Sequence, residues 1–309
     1  MIIHKGYEAL ELRNPVVTLG IFDGVHRGHK ALLERLMSRA REVDGESAVI
    51  TFDPHPRQIL KKAGDKLSFL STVEEKTALL ENAGVGHLII IRFTAGFSRM
   101  NACDFIEKVL RRKVATKHLI IGHDHHFGYH GEGDYNTIRK CAESMGFEVE
   151  QVPGLKISGG TISSSMIREA LLNGKLDHAN KLLGYDYSLK GFVVGGRKIG
   201  RKIGFPTANI KPADKFKLIP GDGVYAVEVV LDNKKMPGML SIGKNPTINA
   251  TSDKRTIEVH IFDFEAEIYG TKIEVIFRHR LRDETKFNDT DELVHQMKLD
   301  RINALRSLK

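Results

Sequence analysis

The chain has 309 residues, 41% of them hydrophobic and 28% charged, which excludes a disordered or collagen-like polypeptide and suggests two domains. It carries 47 Lys and Arg against 39 Asp and Glu, a net charge of +8, so an anionic partner is expected: nucleic acid, or a nucleotide or other polyphosphate substrate. The basic runs at Lys61-Lys62 and at residues 111–113 are short and read as solvated faces, so charge alone does not choose between them.

The opening MIIHKGYEAL lacks a basic stretch followed by an apolar core, so no secretory leader is expected. No apolar run approaches the roughly 18 residues of a membrane span. Cys103 and Cys141 are the only cysteines and are expected as two buried thiols. These features point to a cytoplasmic protein.

In chain order, residues 15–21 (PVVTLGI) read as a buried strand. A helix follows from Gly28, with Leu32, Leu33, Leu36, Ala40 and Val43 at helical spacing. Residues 47–52 read as a strand, and Ser71 with Glu74 as a capping box before a helix carrying Ala78, Leu79 and Leu80. Strands at 87–93 and 117–122 flank a helix at NACDFIEKVLRR; a helix near 136–145 and a strand near 147–152 follow. Strands alternating with helices predict a parallel sheet covered on both faces, a Rossmann-like α/β domain.

After about Tyr185 the pattern changes. GFVVGG, GVYAVEVVL, GMLSIG, RTIEVHIFDF and TKIEVIF are strand-like runs, with Asp232-Asn233 as a hairpin turn. Only 290–307 reads as a helix, with Leu293, Met297 and Leu305 on one face. The second half is therefore expected as a β-barrel or sandwich with one terminal helix. The expected domains are 1–185 and 186–309.

Polar clusters follow three of the first-half strands: Phe22-Asp23-Gly24-Val25-His26-Arg27-Gly28-His29, then Asp53-Pro54-His55-Pro56, then Gly122-His123-Asp124-His125-His126-Phe127-Gly128. These are carboxyl ends of parallel strands, where open α/β sheets bind ligands. His26-x-Gly28-His29 opens a helix, whose free N–H groups and dipole attract phosphate. Two imidazoles three residues apart can donate to phosphate oxygens, which suits attack on an α-phosphorus with pyrophosphate leaving. Ser163-Ser164-Ser165 and Arg168 open a further helix and form a second candidate anion clamp. The tract His123–His126 has no HExxH, no cysteine partner and no second ligand pair, so a polar loop over the nucleotide site is expected rather than zinc.

In the second half, Thr207 and Asn209 within GRKIGFPTAN are two apart and point the same way in an extended chain. Their oxygens suit Mg²⁺ and a terminal phosphate, with Gly195, Gly196, Gly200 and Gly204 allowing backbone contact and Arg197, Lys198, Arg201 and Lys202 adding charge. This is not a GxxxxGK[ST] loop. In residues 256–264, Val259 and Ile261 share one face while Glu258 and His260 lie on the other. Glu258 is the candidate base for a substrate hydroxyl.

The ordered motifs GIFDGVHRGH, TFDPHPR, ISSSMIR, GRKIGFPTANI, GVYAVEV, SIGKNPT, EVHIFDF and LRDETKF give the chain a resemblance over essentially its whole length to bifunctional bacterial riboflavin kinase/FAD synthetases. The resemblance implies an N-terminal nucleotidyltransferase domain converting FMN and ATP to FAD and pyrophosphate. It implies a C-terminal kinase barrel converting riboflavin and ATP to FMN and ADP, both steps with Mg²⁺. On that basis Gly20, Phe22, Asp23, Gly24, His26, Gly28, His29, Ser163, Ser164, Ser165 and Arg168 bind ATP for adenylylation, with His26 and His29 catalytic. Asp53, His55, Pro56 and Asp124 face the flavin there. Gly200, Arg201, Gly204, Pro206, Thr207 and Asn209 hold Mg-ATP in the kinase, Thr207 and Asn209 at the metal. Arg282, Glu284 and Phe287 contact the kinase flavin, and Glu258 is the base. Two departures fall in the adenylylation half: Ile21 stands where the family usually has Asn, and DHHFGYHGEG replaces a loop close to DFRFG.

The implied partners are small molecules, with no nucleic acid, no membrane and a monomer or weak oligomer. Two other readings are a kinase whose first domain only binds FMN, and a basic nucleic-acid-binding protein, which lacks a clustered basic helix or aromatic platform.

Overall fold

The computed structural model describes residues 1–60, 66–157, 160–196, 199–244 and 255–309. The basic residues Lys61, Lys62, Arg197 and Lys198 and the end of the SIGKNPT motif lie outside the described residues, as does the side chain of Lys202. The chain divides into two compact units, Met1–Ser164 and Ser165–Lys309.

The first unit is built on β1 (Ile2–Lys5), β2 (Val16–Leu19), β3 (Ser47–Asp53), β4 (His87–Arg92), β5 (His118–Gly122) and β6 (Glu148–Val152). All pairings are parallel, in the order β1-β4-β3-β2-β5-β6. Between the strands run α1 (Arg27–Glu42), α2 (Pro56–Leu60), α3 (Val73–Asn82), α4 (Ala102–Phe105) continuing as a π-helical segment (Ile106–Arg111), and α5 (Tyr135–Ser144). A two-stranded hairpin, β7 (Lys156–Ile157) and β8 (Gly160–Thr161), closes the unit.

The sheet is doubly covered because its strands alternate in what they bury. Val17, Leu19, Ile50, Ile89 and Ile121 pack with Phe105, Ile106, Val109 and Ile138 on one face. Val16, Val49, Leu88 and Ile120 pack with Leu32, Leu33 and Leu36 of α1 and Leu80 of α3 on the other. Strands without a solvent face carry continuous apolar runs, as VVTL and HLIII do.

Three expectations are corrected here. The sequence gives no signal for β1: Ile2 and Ile3 are exposed on an edge strand, so no buried alternation marks it. The capping box lies one residue later than expected: Thr72 Oγ1 accepts from Glu75 N (3.2 Å) and Glu75 Oε2 accepts from Thr72 N (2.9 Å). Ser71 instead accepts from Gly24 N (2.8 Å), which ties two loops together. Finally, Cys103 and Cys141 are not free thiols but are joined as a disulfide between α4 and α5, their Cα atoms 5.6 Å apart.

The second unit begins with α6 (Ser164–Leu172, its first residue in the other unit) and α7 (Leu176–Leu183), the latter ended by Gly184 in the left-handed region (φ 74°). A closed barrel follows, with β9 (Ser188–Val194), the short α8 (Ile199–Lys202), β10 (Ala208–Pro212), β11 (Gly223–Leu231), β12 (Lys234–Lys244), β13 (Arg255–Ile261) and β14 (Lys272–Arg282). Its order is β10-β13-β12-β11-β14-β9, and the pairs are antiparallel. Asp232 (φ 48°) and Asn233 (φ 63°) make the tight β11–β12 turn, the two left-handed residues of a type I′ hairpin. The terminal helix α9 (Thr290–Ser307) spans the expected residues, and Met297 and Leu305 pack with Phe205, Ala226, Met239 and Phe262. The short strand β10 and helix α8 were not anticipated, because too few residues carry a periodic signal.

By compactness the division falls at Ser164/Ser165, whereas the change in sequence pattern falls near 185. Helix α7 accounts for the difference: Asn180 Nδ2 donates to the Phe277 carbonyl of β14 (3.1 Å) and Asn180 Oδ1 accepts from Tyr187 N (3.0 Å). Among the described residues no helix is long and apolar enough to cross a membrane.

Candidate active sites

In the first unit a cavity of about 330 Å³ opens at the carboxyl ends of β2, β3, β5 and β6. Strand order changes direction around β2, so the loops after β2 and β5 diverge and leave a crevice. Its walls include Gly20–Asp23, His26, Gly28 and His29 from the first motif, and Gly122–Phe127 from the histidine-rich loop. Ile162, Ser163 and Ser164 close it.

His26 caps α1: its Nδ1 accepts from the His29 backbone N–H (3.3 Å). An accepting Nδ1 carries no proton, so the proton of the neutral ring is on Nε2, a donor. His29 stacks on it with ring centroids 3.6 Å apart and 16° between planes. Gly28 is required by this stack, since a Cβ there would meet His26 Nδ1 at 3.1 Å and the Ile162 carbonyl at 3.5 Å. Burial pushes the His29 imidazole well below its usual pKa, and its electrostatic interactions with the stacked His26 and with the Lys76 ammonium act in the same direction. His29 Nδ1 is buried without a hydrogen-bond partner, which leaves Nε2 as the atom able to meet a ligand.

The loop that presents His26 is held in an unusual shape, with Phe22 (φ 51°) and Val25 (φ 36°) both left-handed. Such residues persist only where the surroundings over-determine them. Asp23 supplies that restraint: its Oδ1 accepts from Leu70 N (2.8 Å) and Ser71 N (3.1 Å), and its carbonyl accepts from Ser164 Oγ (3.0 Å).

Asp124 lines the cavity, but Gly24, Asp53, His55 and Pro56 are not among its lining residues. His55 stacks on Phe69 (4.1 Å between centroids) and its Nδ1 accepts from Arg57 N (3.1 Å). Arg168 donates to Ser165 Oγ (3.0 Å) on α6. His125, part of the histidine-rich loop expected over the site, lines the cavity, and burial pushes its pKa down to about 4; the backbone at Val152–Leu155, which also lines it, carries no sequence signal. Among the described residues no group of three or more His, Cys, Asp or Glu is arranged to hold a metal.

In the second unit two cavities meet. One, about 330 Å³, is lined by Gly200, Thr207, Ser241, Glu258, His260, Arg282, Glu284, Phe287 and Asp300, among others. The other, about 510 Å³, is lined by Arg201, Pro206, Thr207, Val259, Ile261 and residues 264–269. Thr207 belongs to both. The alternation expected on β13 is realised, with Glu258 and His260 facing the first cavity and Val259 and Ile261 the second.

Thr207 Oγ1 donates to Glu258 Oε2 (3.2 Å), and Asn209 is the register partner of Glu258 across β10 and β13. Asn209 and Gly204 line neither cavity. A threonine hydroxyl, an asparagine amide oxygen and a carboxylate brought together by strand pairing are hard oxygen donors, which fits Mg²⁺. His260 Nδ1 donates to the Pro206 carbonyl (2.8 Å), fixing its tautomer, and burial lowers its pKa.

Arg282 is gripped by Asp300 of α9, through Nε to both carboxylate oxygens (3.0 and 3.1 Å) and a terminal nitrogen to Oδ2 (2.8 Å). Gln296 Nε2 also donates to Asp300 (2.8 Å). Asp300 is 3% exposed and was missed, since one acidic residue in an amphipathic helix normally faces water. Arg282 lies over the Phe287 ring at 5.7 Å, and Ser241 Oγ donates to Glu284 Oε1 (3.2 Å). Gly243 has no Cβ, and the Glu284 carboxylate occupies that space.

The FAD synthetase family model matches residues 9–166, and the riboflavin kinase family model matches residues 183–308. The chain belongs to the bifunctional riboflavin kinase/FMN adenylyltransferase family. A bifunctional riboflavin kinase/FMN adenylyltransferase of Listeria monocytogenes is 39% identical over 93% of this chain and 90% of that protein. The Escherichia coli K12 protein of the same name is 37% identical, over 94% and 91%. A crystal structure titled as a macrolide-efflux protein from Streptococcus pneumoniae is 32% identical, with a TM-score of 0.88 over 98% of both chains. The two family models thus fall on opposite sides of residues 167–182, and each contains one of the cavity systems just described.

Proposed function

We propose that this bifunctional riboflavin kinase/FMN adenylyltransferase makes FMN in the paired cavities of the barrel and FAD in the cavity of the parallel sheet. The observation that carries the division is the separation of two chemically distinct sites. A helix N-terminus with stacked histidines suits phosphate binding without a protein nucleophile. A carboxylate beside a hydroxyl at the junction of two cavities suits deprotonation of an alcohol next to a triphosphate.

In the barrel, riboflavin occupies the cavity lined by Arg282, Glu284 and Phe287, and ATP the one lined by Arg201 and Pro206, with Gly200 on α8 and Gly204 in the turn that follows it. Glu258 takes the proton of the riboflavin 5′-hydroxyl as that oxygen attacks the γ-phosphorus, releasing ADP. Thr207 and Asn209 would hold Mg²⁺, which when bound would neutralise phosphate charge. In the sheet domain, an FMN phosphate oxygen attacks the α-phosphorus of ATP and pyrophosphate leaves. His26 and His29 donate to the phosphates, with Ser163–Ser165 and Arg168 as the second clamp. Gly20, Phe22, Asp23 and Gly24 shape the nucleotide side, and Asp53, His55, Pro56 and Asp124 the flavin side.

The domains in this reading are 1–185 and 186–309, the enzyme acts as a monomer or weak oligomer, and its substrates place it in the cytoplasm. A reducing compartment would open the Cys103–Cys141 bridge. The efflux role in the pneumococcal title is not carried over, because both family models concern flavin nucleotides. The test is incubation of purified protein with riboflavin and Mg-ATP, resolving FMN and FAD over time. FMN appearing first and FAD following supports the reading; FMN that never becomes FAD leaves a kinase whose first domain only binds FMN.

A further inference from the structure

Helix α3 carries a lysine in a place that a merely structural lysine avoids. Lys76 is in the first helical turns, where the dipole disfavours a cation, and it is only 6% exposed. A buried ammonium is costly unless it is paired or hydrogen-bonded. Its Nζ donates to the Ile21 carbonyl (3.0 Å) and to Thr51 Oγ1 (3.0 Å). Thr51 Oγ1 in turn donates to the same Ile21 carbonyl (3.3 Å), so three groups close a ring of hydrogen bonds. Among the described residues no carboxylate oxygen forms an ion pair with Lys76.

The partners lie where the chemistry is. Ile21 follows β2 and lines the cavity, directly before the left-handed Phe22 and the loop leading to His26. Thr51 is near the end of β3, one residue before Phe52, which also lines the cavity. Lys76 itself is not a lining residue. The contact uses the Ile21 carbonyl, so it is indifferent to the side chain by which this chain departs from its family.

We propose that Lys76 is a positioning residue of adenylylation: its ammonium fastens the loop that presents His26 to the end of β3 and supplies positive charge beneath the phosphate site. The inference rests on assigning this cavity to FAD formation. The charged and titratable groups that interact with it are Asp23 on the loop after β2, Asp53 at the end of β3, and His29 in the first turn of α1, which also interacts with His26. Burial lowers the Lys76 pKa to about 8, while Asp23 and Asp53 oppose that shift. The Lys76 charge also contributes to holding His29 neutral.

The test compares Lys76→Met, which keeps the stem and removes the charge and donors, with Lys76→Gln, which keeps two N–H donors. FAD formation from supplied FMN is measured for kcat and for KM of ATP, FMN formation from riboflavin serves as a fold control, and His29 is titrated by NMR of its ring C–H. Lys76→Met is expected to raise the ATP KM about 10–100-fold, leave FMN formation unchanged, and move the His29 titration to higher pH. Lys76→Gln is expected to recover part of the KM but not the His29 shift. A purely structural lysine would lower the active fraction, hence kcat, with KM and the His29 titration unmoved; that result in a folded variant overturns the proposal. If Lys76→Met does not fold, the same readouts on Lys76→Gln decide it. His29→Ala separates the two levels: if it too leaves FAD formation intact, the site assignment has failed, and if it abolishes FAD formation while Lys76→Met is normal, only the role of Lys76 has.

Discussion

Glu258→Gln is expected to remove most FMN formation while sparing FMN adenylylation. In the folded protein Glu258 accepts from Thr207 Oγ1 (3.2 Å) and faces the cavity that contains Arg282, Glu284 and Phe287. Glutamine has the same length and keeps an acceptor oxygen for Thr207, so the site's shape survives and only basicity is lost. A positioned base contributes about 10²–10⁴-fold, or about 2.7–5.4 kcal/mol at 1.36 kcal/mol per tenfold. A surface-level change that preserves the Thr207 contact should alter stability by less than about 0.5 kcal/mol, too little to account for such a fall. The assay is the initial rate of FMN from riboflavin, with FAD from supplied FMN measured in the same preparation. A variant within about threefold of wild type, against the 10²-fold lower limit for a base, would refute the role of Glu258. Catalysis would then rest on positioning by Thr207 and Asn209.

His29→Ala is expected to slow FAD formation by about 10²–10³-fold, the scale for one transition-state donor, with FMN formation unchanged; equal loss of both would show that the sites are coupled. Because His29's pKa is well below the usual imidazole value, its ring is neutral at pH 7 and gains a proton only in acid; NMR titration should show no His29 transition between pH 6.5 and 8. Residues 186–309 alone are expected to phosphorylate riboflavin, but a fragment starting at 165 should melt higher, because it keeps the Asn180 bonds to Phe277 and Tyr187. Equal melting temperatures would show that α7 adds nothing to the barrel. Thiol titration in denaturant of protein first exposed to an oxidant should find no free thiol, and two after reduction, since Cys103 and Cys141 are positioned to bond; two free thiols in the oxidised protein would contradict the bridge.

Much of this protein is determined by local sequence. Continuous apolar runs such as VVTL and HLIII demand strands buried on both faces, and the spacing of Leu32, Leu33, Leu36 and Ala40 demands a helix with one buried stripe. The geometry of HxGH is likewise local, because the helix cap, the glycine and the stacked imidazoles at the strand-to-helix junction all come from neighbouring residues. The Thr207–Glu258 pairing was only half legible: alternation gave each residue its face, but a strand register between residues 51 apart brings them together.

What tertiary structure decided is wherever a side chain's role depends on a distant partner. Asp300 and Lys76 look like ordinary solvated charges on amphipathic helices, and become buried because Arg282, Ile21 and Thr51 meet them in space. The edge strand Ile2–Lys5 exists because β4 offers it a ladder of backbone groups, not because its own residues alternate. Cys103 and Cys141 are bonded because two helices cover the same sheet face. Periodicity records which face of an element is dry; it holds no information about which charged group arrives from elsewhere to occupy that face.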